Sequence, residues 1–324
     1  MLPALLLTAG LGTRLRPLSF VRAKPAMPVA GTPLVRRILG WLGAHGVTDV
    51  VLNLHHRPET VTQAVGDGSD LGLRVRYSWE NPILGSAGGP RRALPLLGSS
   101  RFLLVNGDTL TDLDLPRLIE RHDQSGALVT MAVVPNRSPE RYGGVLMDGR
   151  GVVSGFTGRG SDKTSWHFIG IQVAEAKAFS GLPPDQPADS VASLYPSLIR
   201  DHPGSVRAVA CDASFVDIGT PADYLGASLA LAGAPVVSDS ISVGSPLAGD
   251  RTTIAQSARV VRTILWDDVV VTDDASLIEC IVADGVRVPA GVRWERRAVI
   301  PAHRGAARPG DEIVGDLIVA PIDR

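Results

Sequence analysis

Between residues 269 and 298 an apolar or small side chain returns at every sixth position: Val269, Ala275 and Ile281, then, after one five-residue step, Val286, Val292 and Ala298. Neither a 3.6-residue helix nor a two-residue strand alternation makes that interval. A left-handed parallel β-helix does, because each flat face of a coil buries one small or branched side chain per turn. The run Ile264-Leu265-Trp266-Asp267-Asp268-Val269, continued by Cys280-Ile281-Val282-Ala283-Asp284-Gly285-Val286, carries the pattern. A few irregular strands in a small sandwich are the alternative for so short a repeat. An incomplete solenoid exposes an end, so it is expected to pack on another subunit or on the rest of the chain, which points to a homo-oligomer with the β-helix at an interface.

The residues before this segment follow a different rule. Helical spacing in Pro33 to His45 gives way to the apolar run Val50 to Leu54, and the alternation repeats as Glu59 to Val65, Leu73 to Tyr77, Gly89 to Leu97, Phe102 to Val105, Pro116 to His122 and Leu128 to Val134. Such a pattern predicts an α/β fold with a doubly wound, mainly parallel sheet, with ligands at the carboxyl ends of the strands. Tyr142 to Met147, Val152 to Phe156 and His167 to Val173 read as short strands of an inserted sheet. Ser190 to Arg200 and Pro221 to Leu231 read as helices, with Val206 to Ala210 and Phe215 to Ile218 as strands between them. Gly233-Ala234-Pro235 is the expected boundary. The predicted organisation is a catalytic domain at 1–232, the β-helix at 233–300, and a tail at 301–324 in which Ile313 to Val319 can close the end.

The first apolar run, Leu5-Leu6-Leu7, stops at the small residues Thr8-Ala9-Gly10-Leu11-Gly12-Thr13-Arg14, with Lys24-Pro25 following. Gly10 and Gly12 lack the side chains that keep backbone from an anion, and Ala9 is nearly as small. Loop amides, the Thr13 hydroxyl and the charges of Arg14 and Lys24 suit a polyphosphate. The third glycine of a dinucleotide fingerprint is missing, as is the Gly-Lys-Ser/Thr ending of a kinase-type loop, so neither a dehydrogenase nor an ATPase fits. With 32 Lys plus Arg against 33 Asp plus Glu, the formal net charge of -1 offers no long-range attraction to nucleic acid or anionic membrane. Two cysteines, Cys211 and Cys280, make no disulfide framework or zinc motif. With neither an export signal nor a spanning segment in view, a soluble cytoplasmic protein is expected.

Gly10-x-Gly12-Thr13-Arg14-Leu15-x-Pro17-Leu18 followed by Lys24-Pro25 resembles the signature of sugar-1-phosphate nucleotidyltransferases. The resemblance implies transfer of a nucleotidyl group from an NTP to a sugar-1-phosphate, with release of pyrophosphate. Asp108, closing Val105-Asn106-Gly107-Asp108, stands where a strand-end carboxylate can hold a hard cation, or cap the next element. The resemblance makes it a Mg2+ ligand and adds Asp217, in Asp217-Ile218-Gly219-Thr220-Pro221, as the second; Thr220 is also an expected helix N-cap. The sugar phosphate is already anionic, so catalysis is positioning and neutralisation. Arg14 and the loop amides receive the leaving pyrophosphate, and Lys24 spans the reacting phosphates.

The stretch Glu80-Asn81-Pro82-Ile83-Leu84-Gly85-Ser86-Ala87-Gly88 is similar to the base-binding loop of mannose-1-phosphate guanylyltransferases. Gly85 and Gly88 would let a base approach, and Glu80 would accept the NH donors of guanine. On the sugar side, Tyr142-Gly143-Gly144-Val145 resembles the strand whose glycine backs the sugar ring. The family's Glu-Lys pair is replaced by Gly158-Arg159, where Arg159 can still clamp a phosphate, and Phe168 stands where an asparagine precedes the glycine, here Gly170. These departures, with Asn53, resemble the branch of the family that handles N-acetylmuramate-1-phosphate with UTP. His55 and His56 are adjacent on a strand, point to opposite faces and are not expected to be metal ligands. GDP-mannose synthesis is the leading expectation. A uridylyltransferase of N-acetylmuramate-1-phosphate or of another hexose-1-phosphate and a catalytically silent NDP-sugar-binding regulator are the alternatives; the short repeat disfavours an acyltransferase.

Overall fold

The computed structural model describes residues 1–233, 245 and 247–323. Ala234 and Pro235 of the expected boundary lie outside them. The chain divides into two compact units: Met1–Gly10, Arg37–Pro58 and Val65–Val216 form one, and Leu11–Arg36, Glu59–Ala64 and Asp217–Arg324 the other.

The first unit is built on a sheet with nine strands among the described residues. In chain order these are β1 (Ala4–Leu7), β2 (Asp49–Leu54), β3 (Arg74–Trp79), β4 (Arg101–Asn106), β6 (Val129–Pro135), β7 (Gly144–Met147), β8 (Val153–Thr157), β9 (Trp166–Glu175) and β10 (Val206–Ala210); β5 (Thr109–Thr111) pairs separately with β11 (Phe215–Asp217). The spatial order is β8-β7-β9-β4-β1-β2-β3, with β6 beside β9 and β10 beside β6. Strands β4, β1, β2 and β3 run parallel; the apolar runs of β4, β1 and β2 suit strands covered on both faces, whereas β3, at the end of the strand order, carries Arg74, Arg76 and Ser78.

Helices α1 (Leu34–Ala44), α2 (Pro58–Val65), α3 (Gly85–Leu97), α4 (Leu115–Ser125), α5 (Ala176–Ser180), α6 (Tyr195–Asp201) and α7 (Pro221–Leu231) follow the expected alternation. In α4, Asp114 accepts a hydrogen bond from the Arg117 amide at 3.0 Å, and Leu115, Leu118 and His122 face inward one turn apart. The core of this unit gathers Leu5, Val51, Phe102, Leu104, Met131 and Phe179, all below 2% exposed.

Two expectations are corrected. Strands β7, β8 and β9 do not make a separate inserted sheet; they continue the main one, antiparallel. Strand β9 can do this because its pairing slips between Phe168 and Gln172, around Gly170 at φ +84°. Its first half pairs with β6, and with β7 through Trp166, while its second half pairs with β4 and β6. Helix α3 begins at Gly85 rather than Gly89, because the Ala188 carbonyl accepts hydrogen bonds from the amides of Ala87 (2.9 Å) and Gly88 (3.3 Å) and so caps an earlier turn.

In the second unit the C-terminal residues form the left-handed β-helix. Three parallel sheets are stacked in register, Thr253 on Val270 on Arg287, Arg259 on Ser276 on Arg293, and Ile264 on Ile281 on Ala298, each a seventeen-residue step. Two six-residue faces and one five-residue face make that step. Val269, Ala275, Ile281, Val286 and Ala298 are buried, and Val292 is half-buried. The last coil strand, β12 (Arg297–Pro301), pairs antiparallel with β14 (Leu317–Pro321), which pairs with β13 (Glu312–Val314). The tail thereby covers that end of the coil, with Leu317 to Ala320 buried.

Candidate functional site

In the second unit the glycine-rich loop is a chain of short turns. Gly12, at φ +60°, opens the turn Thr13–Leu15. A Cβ there would stand 3.2 Å from the Ser19 Cβ and 3.7 Å from the Lys24 Cβ. The glycine therefore lets the start of the loop lie directly against the segment that carries Lys24, which begins its own turn, Lys24–Ala26. Thr13 and Arg14 are exposed.

Gly219 brings the distant carboxylate to the same place. A Cβ on it would stand 3.0 Å from Nη1 of Arg14, 3.2 Å from Oδ2 of Asp223 and 3.3 Å from Oδ2 of Asp217. Asp223 belongs to the helix start: its side chain accepts from the Thr220 amide (3.0 Å) while Thr220 Oγ1 accepts from the Asp223 amide (3.2 Å), the capping arrangement Thr220 was expected to make. The guanidinium of Arg14 and the carboxylate of Asp217 thus converge over one glycine.

In the first unit, β1 and β4 end side by side. Ala9 is buried, and Gly10 is exposed with open space where a Cβ would be. The Gly107 amide donates to the Leu7 carbonyl at 3.0 Å, and a Cβ on Gly107 would strike that carbonyl oxygen. This crossing sets half-buried Asp108 just beyond β4, at the carboxyl edge and immediately before β5. His55 Nδ1 donates to the Glu80 carbonyl, 3.0 Å away.

Glu80 is not disposed as a base-reading group. It is 4% exposed; Oε1 accepts from Asn53 Nδ2 at 2.7 Å and Oε2 from the Leu84 amide at 2.8 Å. Asn53 Oδ1 in turn accepts from the Thr8 amide at 2.7 Å. This buried relay ties the end of β1 to the end of β2 and to the turn before α3. Gly88 likewise makes room for the chain itself, since a Cβ would stand 2.5 Å from the Gln186 carbonyl oxygen; at exposed Gly85 it would stand 2.8 Å from that of Ala188.

On the expected sugar side, a Cβ on Gly144 would strike the Ser165 side chain and come within 2.6 Å of Thr157 Oγ1, so that face is filled by neighbouring strands rather than open to a ring. Gly170 leaves room for the Asn106 side chain, 2.8 Å from a Cβ there. Arg159 is exposed in the turn between β8 and β9. What the sequence did not reveal is a trio of rings: Tyr142 and His167 lie 4.1 Å apart and His167 and Phe215 4.9 Å apart. They border a cavity of 460 Å³ that Arg137, Cys211 and Asp212 also line. Burial pushes His167 down to about 4, against a backbone hydrogen bond to Gly143 that acts the other way, while Arg141 adds to the lowering. The three rings sit on separate elements, and no spacing links them.

A glycine-rich loop carrying Arg14 and Lys24, and carboxylates at strand ends, are the groups that an enzyme acting on phosphate-bearing substrates needs. Residues 3–233 match the family model described as Nucleotidyl transferase, and the chain belongs to that family. It is 29% identical over 90% of its length to a mannose-1-phosphate guanylyltransferase of Mycobacterium tuberculosis, 83% of which is covered. It is 36% identical over 60% of its length to an N-acetylmuramate alpha-1-phosphate uridylyltransferase of Neisseria meningitidis, again covering 83% of that chain. The crystal structure of HddC from Yersinia pseudotuberculosis complexed with GMP-PN superposes with a TM-score of 0.62 at 26% identity, covering 71% of this chain and 100% of that one. The protein is a sugar-1-phosphate nucleotidyltransferase, of a family that generally uses a divalent metal.

Proposed function

We propose that the protein makes GDP-mannose and pyrophosphate from GTP and mannose-1-phosphate. The observation that carries this is the breadth of the likeness to the mycobacterial mannose-1-phosphate guanylyltransferase, which takes in 90% of the chain and so extends beyond the region matched by the family model. Glu80 no longer argues for guanine. The second reading, uridylyl transfer to N-acetylmuramate-1-phosphate, is favoured by the higher identity to the Neisseria protein and by Gly158 in place of the sugar-binding glutamate.

Arg14, Lys24, Asp108 and Asp217 are the proposed catalytic residues. Gly10, Gly12 and Thr13 receive the triphosphate; Arg14 takes charge from the departing pyrophosphate and Lys24 from the phosphates that react. Arg159, exposed beside the β8–β9 turn, is the proposed sugar-phosphate clamp. Asp108 and Asp217 fit a hard cation as donors: one or two carboxylates plus substrate phosphates are what Mg2+ takes, so a cage of three acidic or imidazole side chains, which the described residues do not contain, is not required. Such an ion would neutralise charge on the phosphate undergoing attack.

The remaining parts of the proposal are a catalytic domain at 1–232, a cytoplasmic setting, in keeping with two free cysteines, and a homo-oligomer with the β-helix at an interface. Among the described residues no helix is long and apolar enough to cross a membrane. The test is pyrophosphate release with Mg2+ titrated against wild type, Asp108→Asn and Asp217→Asn. Both variants should lose turnover with little loss of stability; a variant that unfolds instead would make that carboxylate structural.

A further inference from the structure

The β-helix carries an acidic ladder. Asp250, Asp267 and Asp284 recur at the seventeen-residue step, so they stand at one corner of successive coils, where the Asp250 amide donates to Asp267 Oδ1 (2.9 Å) and the Asp267 amide to Asp284 Oδ1 (3.1 Å). Another corner neutralises itself, with Glu279 between Arg262 (3.1 Å) and Arg296 (3.0 Å). Among the described residues no arginine of the coil stands between these aspartates, although Arg251 pairs with the neighbouring Asp268 at 2.5 Å, and carboxylates of one sign on successive coils repel. The cation at this corner comes from the glycine-rich loop. Arg22 donates from Nε to Asp284 Oδ2 (2.7 Å), and from Nη2 to Asp284 Oδ1 (2.6 Å) and Asp267 Oδ2 (2.6 Å), with its guanidinium 5.3 Å from the Trp266 ring.

Two further contacts fasten the same loop. Trp266 Nε1 donates to the Tyr224 hydroxyl (2.9 Å), which donates to the Pro28 carbonyl, and Phe20 packs so closely on Gly305 that a Cβ there would strike the ring. Residues 11–36 accordingly form one compact unit with the β-helix, and the sheet from which the loop emerges lies in the other.

We propose that Arg22 is a positioning residue and that the Asp267–Asp284 corner of the β-helix is a clamp holding the nucleotide-binding loop in its working conformation. Arg22 lies two residues before Lys24, and the Lys24 side chain starts beside Gly12. A bidentate guanidinium–carboxylate pair fixes both direction and distance, which a lysine in its place would not. The ladder exists to fix the loop, and the inference rests on the roles proposed above for Arg14 and Lys24.

The experiment compares full-length wild type, Asp267→Asn/Asp284→Asn, Arg22→Lys and Lys24→Ala by pyrophosphate-release kinetics and by amide hydrogen exchange. The double variant keeps the side-chain acceptors of the ladder and removes its charge. Its KM for the nucleotide should rise about tenfold or more, since small misplacements of binding groups are that costly, with KM for the sugar phosphate unchanged. Exchange should rise in residues 11–27 while the coil strands stay protected; Arg22→Lys should show the same change more weakly, and serves alone should the double variant unfold. Wild-type kinetics, or slower turnover with unchanged exchange in residues 11–27, would overturn the clamp. Wild-type turnover in Lys24→Ala would instead overturn the catalytic assignment and leave the exchange result to decide on the clamp.

Discussion

Replacing Glu80 by glutamine separates structure from recognition at one position. The relay has a fixed sense: the Thr8 amide is a donor, so Asn53 must offer its oxygen there and its NH2 to Glu80, and the Leu84 amide is a second donor to Glu80. A carboxylate accepts from both. A glutamine amide has one oxygen, so whichever way it turns, its NH2 faces a donor; turning Asn53 as well only moves the conflict to Thr8. One buried hydrogen bond to a charged acceptor is lost, about 1.5–3 kcal/mol, and a buried donor is left unmatched at about 1–3 kcal/mol. With partial relaxation, about 3 kcal/mol of stability should disappear from Glu80→Gln. Urea denaturation followed by circular dichroism reads that loss, and pyrophosphate release with GTP and with UTP reads function. Activity should fall for both nucleotides to a similar degree. An unchanged urea midpoint with a loss confined to GTP would refute the relay and restore Glu80 as a reader of the base.

Gly88→Ala forces a methyl to within 2.5 Å of the Gln186 carbonyl oxygen, so it should cost about 1–3 kcal/mol in urea denaturation and expose the first turn of α3 to hydrogen exchange; a neutral result would mean the 186–188 segment is loosely held. Gly219→Ala places a methyl about 3 Å from both Arg14 and Asp217 and should lower kcat at least tenfold with a small change in stability, whereas unchanged kcat would detach that pair from catalysis. His167, held neutral by burial at about 4, takes up its proton in the unfolded chain near the ordinary value of about 6.5. Stability from this group is therefore complete above about 6.5 and declines as pH falls toward 4, and His167→Gln should flatten the urea midpoint over that window.

Much of the architecture was legible because the two repeat intervals, strand-helix alternation and the six-residue beat, each admit few folds. Even the five-residue step before Val286 reappears as the seventeen-residue coil. Thr220 as N-cap was legible for the same reason, being a local matter of one turn. The buried partnership of Glu80 was not legible because Asn53 is brought beside it by the pairing of β2 with β3, which no local pattern encodes, even though the Leu84 amide lies only four residues further on. Gly88 and Gly144 were read as room for a ligand, although a glycine equally marks the close approach of the chain to itself. Nothing local to Arg22 marks its role; only the recurrence of Asp250, Asp267 and Asp284 at the coil repeat carries a trace of it.

The most direct measurement is the identity of the product. Full-length protein incubated with Mg2+, each NTP in turn and a panel of sugar-1-phosphates, with products resolved by mass spectrometry, should give GDP-mannose and equimolar pyrophosphate from GTP and mannose-1-phosphate, and neither with Asp108→Asn. A UDP-sugar formed in preference would replace the proposed substrates, and no nucleotide sugar from any pair would contradict nucleotidyl transfer by this chain.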